Sequence, residues 1–133
     1  MKILLVEDNS ADAMLLMELV SEKTKLLEIK WVTDGSEALD YIAKDLKQDL
    51  VLLDLSLPRI SGYDVLKNIK SGLATREIPV IVLSTSANPK DVTECRNLGA
   101  EGFLSKPSDL EGYEVLTAQM ANAKQAQAMP GMF

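Results

Sequence analysis

Carboxylates at Glu7, Asp8 and Asp54, a hydroxyl at Ser84 and an ammonium at Lys106 could do chemistry together in this chain. Each follows a short apolar run. Leu50-Val51-Leu52-Leu53 ends in Asp54 and passes into Leu55-Ser56-Leu57-Pro58. Lys2-Ile3-Leu4-Leu5-Val6 ends in Glu7-Asp8, and Pro79-Val80-Ile81-Val82-Leu83 ends in Ser84-Thr85. Gly102-Phe103-Leu104 passes through Ser105 into Lys106-Pro107. Such runs read as strands, the solid ones buried on both faces. Open α/β folds bind ligands at the C-terminal ends of parallel strands. If the four strands run parallel, three acids, a hydroxyl and a lysine converge on one edge.

That set suits a divalent cation and a phosphoryl group. Mg²⁺ takes hard oxygen ligands and keeps several waters. Asp8 and Asp54 are expected to bind it directly and Glu7 through water, with the carbonyl of Ser56 within reach. Clustered acids repel one another, and a cation relieves that repulsion. A carboxylate is also a nucleophile toward phosphorus, giving an aspartyl phosphate. The metal and Lys106, acting as a point charge, would stabilise charge during transfer. Taken singly, each residue has a plainer reading: an acid pair favours a helix N-terminus, and a hydroxyl caps one. Their joint placement at four strand ends favours the site.

The elements that must position these residues alternate along the chain. Asn9 or Ser10 caps a helix to about Lys23, carrying Met14, Leu15, Leu16, Leu19 and Val20. Residues 27–32 read as a strand. Asp34 with Glu37 resembles a capping box, opening a helix that turns Ala38, Leu39 and Ile42 inward. Residues 58–61 form a turn, and Ser61 caps a helix holding Val65, Leu66 and Ile69 that ends at Gly72. Asn88-Pro89 supplies a cap and a first-turn proline, and Gly99 a stop. A last helix places Leu110, Tyr113, Leu116 and Met120 on one side. The pattern is βα five times over. It predicts an α/β fold, a five-stranded parallel sheet covered by helices on both faces with right-handed crossovers. One domain over residues 1–124 is expected, with residues 125–133 as a tail that frays, because Pro130-Gly131 breaks a helix.

Composition narrows the function classes. The 133 residues are 47% apolar, enough for a core. A net charge of −6 argues against nucleic acid, which wants a basic face, and serves solubility. No apolar stretch reaches membrane-spanning length, so no membrane is expected. The N-terminus lacks a signal-peptide layout. The single cysteine, Cys95, fits a reducing, cytoplasmic setting and reads as a buried small hydrophobe. The absence of histidine removes the usual zinc sites and Ser-His or Cys-His catalysis.

The chain resembles the receiver domains of two-component response regulators nearly from end to end. The resemblance rests on Val6-Glu7-Asp8-Asn9, Leu53-Asp54-Leu55-Ser56-Leu57-Pro58 with Ser61-Gly62, Ser84-Thr85, and Phe103-Leu104-Ser105-Lys106-Pro107. The spacings are part of it: 46 residues from Asp8 to Asp54, 30 on to Ser84 and 22 on to Lys106. It implies a doubly wound, flavodoxin-like strand order 2-1-3-4-5. It implies Asp54 as phosphoacceptor and a Mg²⁺ site of Glu7, Asp8, Asp54 and the Ser56 carbonyl. Lys106 would pair with the phosphoryl oxygens, Ser84 would be the switch hydroxyl, and Phe103 either the aromatic that follows it inward or a plain core aromatic. The phosphoryl group would come from a sensor histidine kinase or a histidine phosphotransfer protein. The chain would be no enzyme beyond its own phosphoryl transfer and slow dephosphorylation. Thr85 is larger than the family's usual residue there and narrows the opening; Phe103 lacks a tyrosine's hydroxyl. Residues 70–79 and Leu83-Ser84-Thr85-Ser86 are similar to the stand-alone regulators serving bacterial phytochrome-type kinases.

Output is expected by protein binding through the fourth helix, last strand and last helix, where Lys90, Arg96 and Leu98 lie. An isologous homodimer through that face is also compatible. Two other readings stay open. One is a receiver-like interaction module that is not phosphorylated, which would have no need of the full acid set. The other is a Mg²⁺-dependent phosphohydrolase with Asp54 as nucleophile. Haloacid-dehalogenase-like enzymes usually carry a second acid two residues on, where this chain has Ser56, and a cap domain, for which it has no room.

Overall fold

The computed structural model describes residues 1–86 and 88–133. The apolar runs form five strands: β1 (Lys2–Val6), β2 (Glu28–Val32), β3 (Leu50–Asp54), β4 (Val80–Ser84) and β5 (Gly102–Ser105). Between and after them run five helices: α1 (Ser10–Lys23), α2 (Gly35–Lys44), α3 (Gly62–Ser71), α4 (Pro89–Asn97) and α5 (Leu110–Asn122). All pairings are parallel and the order is β2-β1-β3-β4-β5, as expected. β3 and β4 are buried at every residue, because helices cover both faces of the sheet.

Strand alternation sorts the core into two layers. Ile3, Leu5, Leu50, Leu52, Ile81 and Leu83 face α1 and α5, meeting Leu16, Leu19, Leu116 and Met120. Leu4, Val6, Val51, Leu53, Val80 and Val82 face the other way, meeting Ile42, Val65, Leu66, Ile69 and Cys95. Burying each such aliphatic side chain contributes roughly 1.5–3 kcal/mol. Among the described residues, no helix is long and apolar enough to cross a membrane.

The helix starts expected from the sequence are present. Asn9, Asp34, Ser61 and Asn88 each accept a backbone amide in the first turn of α1, α2, α3 and α4. Glu37 reaches back to the N–H of Thr33 rather than to Asp34, so the box is one residue wider. Gly99 takes φ of 102° just beyond α4, a conformation that favours glycine. The turn at residues 58–61 closes with Ile60 N–H donating to the Pro58 carbonyl, and Arg59 sits at φ of 66°.

Two expectations need correction. Leu110 is 58% exposed, because it is the first residue of α5 and only Tyr113, Leu116, Thr117 and Met120 turn to the sheet. The tail, expected to fray, is folded back on the domain in this structure. After a short 3₁₀ turn (Ala126–Ala128), Met129 is buried and the chain returns along the outer edge of β5. Phe103 N–H donates to the Gly131 carbonyl, Phe133 N–H donates to the Glu101 carbonyl, and Gly102 bridges Met132 antiparallel. α5 ends at Asn122, well before Pro130-Gly131, and φ of 89° at Gly131 turns the chain onto an edge strand with unpaired backbone groups.

Candidate functional site

Four strand ends build the site. β1 delivers Glu7 and Asp8, β3 ends in Asp54, β4 ends in Ser84, and β5 leads through Ser105 to Lys106. Register holds them level: Asp54 pairs with Leu83, and Ser84 with Ser105. Lys106 N–H donates to the Ser84 carbonyl at 2.8 Å, which extends the ladder past β5 and aims the lysine inward. The structure therefore brings together Glu7, Asp8, Asp54, Ser84 and Lys106, as the sequence suggested.

Lys106 is the hub. Its Nζ lies 2.6 Å from Glu7 Oε1, 3.0 Å from Asp54 Oδ2 and 3.8 Å from Asp12 Oδ2. Its side chain is 9% exposed, against 3% for Glu7 and 4% for Asp54. Burial works against the ammonium, but the hydrogen bonds to Glu7 and Asp54 outweigh it and hold Lys106 above its ordinary pKa. Glu7 also moves up, to about 7: burial and the neighbouring Asp54 carboxylate outweigh the pull of Lys106. Both partners rise because two buried carboxylates share one ammonium, so the site carries excess negative charge.

That excess fits a cation. Carboxylate oxygens of Glu7, Asp8 and Asp54 all lie within 4.8 Å of one another. Asp8 is exposed, whereas Glu7 and Asp54 are buried, so the cluster opens to solvent on the Asp8 side. Hard oxygen donors with an open side match the way Mg²⁺ is held by a few carboxylates plus waters. Ser56 contributes an amide contact, its N–H donating to Asp54 Oδ1 at 3.0 Å. This fixes one oxygen of Asp54 while the other faces Lys106. Ser84 is 7% exposed, and its Oγ accepts the Ser86 N–H at 3.1 Å. Phe103 is half-buried on the α2–α3–α4 side of the sheet, two residues before Ser105 and away from the acids.

Several neighbours were missed in the sequence. Asp12, in the first turn of α1, faces Lys106 as a fourth acid. Gly62 packs so tightly on the exit of β3 that a Cβ would meet the Asp54 carbonyl at 2.4 Å. Trp31, on β2, donates its indole N–H to the Glu7 carbonyl at 2.8 Å. Nothing local in the sequence signals that bond, which joins residues 24 apart.

Comparison with known proteins bears on the family and the fold. The family profile of the response regulator receiver domain matches residues 3–121. A probable methanogenesis regulatory protein, FilR2 of Methanothrix harundinacea, is 40% identical over 115 residues, spanning 82% of this chain and 74% of that protein. The chain spans only 56% of ARR7, a two-component response regulator of Arabidopsis thaliana to which it is 36% identical. The structure of the phosphorylated cyanobacterial phytochrome response regulator RcpA superposes with a TM-score of 0.82 at 34% identity, covering 94% of this chain and 97% of that one. The Mn²⁺-bound form of response regulator Rcp1 gives 0.77 at 30% identity, covering 92% and 95%.

Proposed function

The chain belongs to the response regulator receiver domain family of two-component signalling, and from that footing we propose that it accepts a phosphoryl group on Asp54 and signals by the change that follows. The observation carrying the reading is the buried Lys106 bridging Asp54 and Glu7 inside a three-acid cluster at the sheet's C-terminal edge. A carboxylate oxygen of Asp54 attacks the phosphorus of a phosphohistidine on a partner kinase or phosphotransfer protein. The O–P bond forms as the P–N bond breaks, and the imidazole nitrogen keeps the electron pair and takes a proton from solvent. These 133 residues hold no histidine, so the donor group lies outside them. The likeness to the phytochrome response regulator RcpA supports a phytochrome-type kinase in that role.

Glu7, Asp8, Asp54 and the Ser56 carbonyl would hold Mg²⁺, which when bound supplies positive charge opposite the phosphoryl oxygens. Lys106, kept protonated by its two carboxylates, neutralises the oxygen on its own side. The Ser56 amide orients Asp54 for attack. Ser84 has its oxygen engaged as an acceptor from Ser86, so its own proton is left to donate to a phosphoryl oxygen. Phosphorylation adds ~1.5–2 negative charges and new acceptor oxygens, so Ser84 and Lys106 bind the two states differently. Only such a difference shifts a population. Phe103 follows Ser84 inward, and the face of α4, β5 and α5 passes the change to a protein partner. Thr85 flanks the opening and slows access.

Incubation with acetyl phosphate and Mg²⁺ tests the reading by intact mass. We expect a gain of one phosphoryl group that hydroxylamine removes, absent in Asp54→Asn and in EDTA. No gain in a sample that binds Mn²⁺ would contradict it, and continuous phosphate release without gain would point to a hydrolase.

A further inference from the structure

Glu7 carries two tasks in the site, standing in the acid cluster and holding Oε1 against Lys106, with Oε2 accepting the Asn9 N–H at 3.3 Å, yet it lies just past the end of β1. Its backbone is held on one side by its own N–H, which donates to the Val32 carbonyl at 3.0 Å. Its carbonyl has no such support: among the described residues no backbone amide donates to it. The amide of Thr33, next along the chain from β2, is turned away to Glu37 Oε2. The indole N–H of Trp31 takes the vacancy at 2.8 Å.

From this geometry we propose that Trp31 is a positioning residue for the metal and lysine contacts of Glu7, resting on the reading of the acid cluster as a divalent-cation site. The indole N–H clamps the Glu7 carbonyl, so the peptide linking Glu7 to Asp8 cannot rotate. The Glu7 carboxylate is then held toward Lys106 and the acid cluster before any ion arrives. Ligand pre-orientation of this kind commonly sets metal affinity by on the order of tenfold or more. The plainer role of Trp31 is to cover the α1-facing side of the sheet, where its ring packs against the core. Cover needs the ring alone; the clamp needs the N–H.

The two roles separate because Trp31 is the single tryptophan. Feeding β-(3-benzothienyl)alanine in place of tryptophan keeps ring shape and replaces N–H with sulfur. Trp31→Phe is the genetic counterpart, with circular dichroism to confirm folding. Mn²⁺ affinity is read by water-proton relaxation, which needs no tryptophan fluorescence and no phosphoryl transfer. We expect each replacement to weaken Mn²⁺ binding about 3- to 10-fold in the native background. In a Glu7→Gln background the same replacement is expected to change affinity less than twofold, since the clamp acts through the Glu7 carboxylate. Unchanged affinity in a folded benzothienyl protein, or an equal loss in the Glu7→Gln background, would overturn the proposal. Failure of the native protein to bind Mn²⁺ at all would instead overturn the cation-site reading beneath it.

Discussion

Lys106 faces three carboxylates at once and cannot satisfy them all. Replacing it with methionine keeps the stem and removes the ammonium. Phosphoryl transfer from acetyl phosphate is then expected to slow by about 100-fold or more, the usual scale for losing a charge-stabilising donor. Mn²⁺ affinity should hold or rise, since a positive charge beside the cation is gone; a loss of metal binding would show that Lys106 organises the acids instead. Glu7 gives a pH test. Its folded pKa, about 7, lies above its ordinary 4.5, so the folded state holds that proton more tightly than the unfolded chain does. The resulting stability is full below about pH 4.5 and is lost as pH rises toward 7. In EDTA, the native protein is expected to lose stability across that window relative to Glu7→Gln, by on the order of 2–3 kcal/mol. Mg²⁺ should flatten the loss. Denaturant melts at several pH values read both effects, and stability that rose with pH relative to Glu7→Gln would contradict the assignment.

At the scale of elements, the region around Asp54 and Ser84 is built unevenly. α3 is locked: Gly62 N–H donates to the Leu55 carbonyl at 3.1 Å, and there is no room for a side chain at Gly62. Gly62→Ala is expected to cost about 1–3 kcal/mol and to disturb Asp54, visible as a lower melting midpoint together with weaker metal binding. α4 is loose, with Cys95 its single buried residue. Tyr63 at the start of α3 donates its hydroxyl to Asp91 in the first turn of α4 at 2.7 Å, tying the loose helix to the locked one. Burial and the Asp91 carboxylate push the Tyr63 pKa up, so the hydroxyl keeps its proton throughout the neutral range. Tyr63→Phe should speed amide hydrogen exchange in α4 several-fold while leaving α3 unchanged. Equal exchange in both proteins would show that the bond carries no tension between the helices.

Over the whole molecule, what the sequence made legible was whatever repeats or caps. Solid apolar runs marked β3 and β4, and Asn9, Asp34, Ser61 and Asn88 marked helix starts, because each signal is local and has its own physical cause. The acid, hydroxyl and lysine positions were legible for the same reason, each ending a strand. The tail was not. It is held by the Gly131 carbonyl on Phe103, the buried Met129 and the Arg96 guanidinium 5.1 Å from the centre of the Phe133 ring. Those are single long-range contacts with no period to read. Trp31 on Glu7 escaped notice likewise. The tail also covers the edge of β5, the strand carrying Phe103, so deletion of residues 125–133 should expose the Phe103 amide to exchange and lower stability by roughly 1–3 kcal/mol. An amide still protected after deletion would mean that another segment seals that edge. The central claim is that Asp54 takes the phosphoryl group. Borohydride reduces an aspartyl phosphate to homoserine, and peptide mass mapping after phosphorylation then locates it. Homoserine at position 54 alone is the expected result; homoserine at position 8, or none in a protein that has gained a phosphoryl group, would contradict the account.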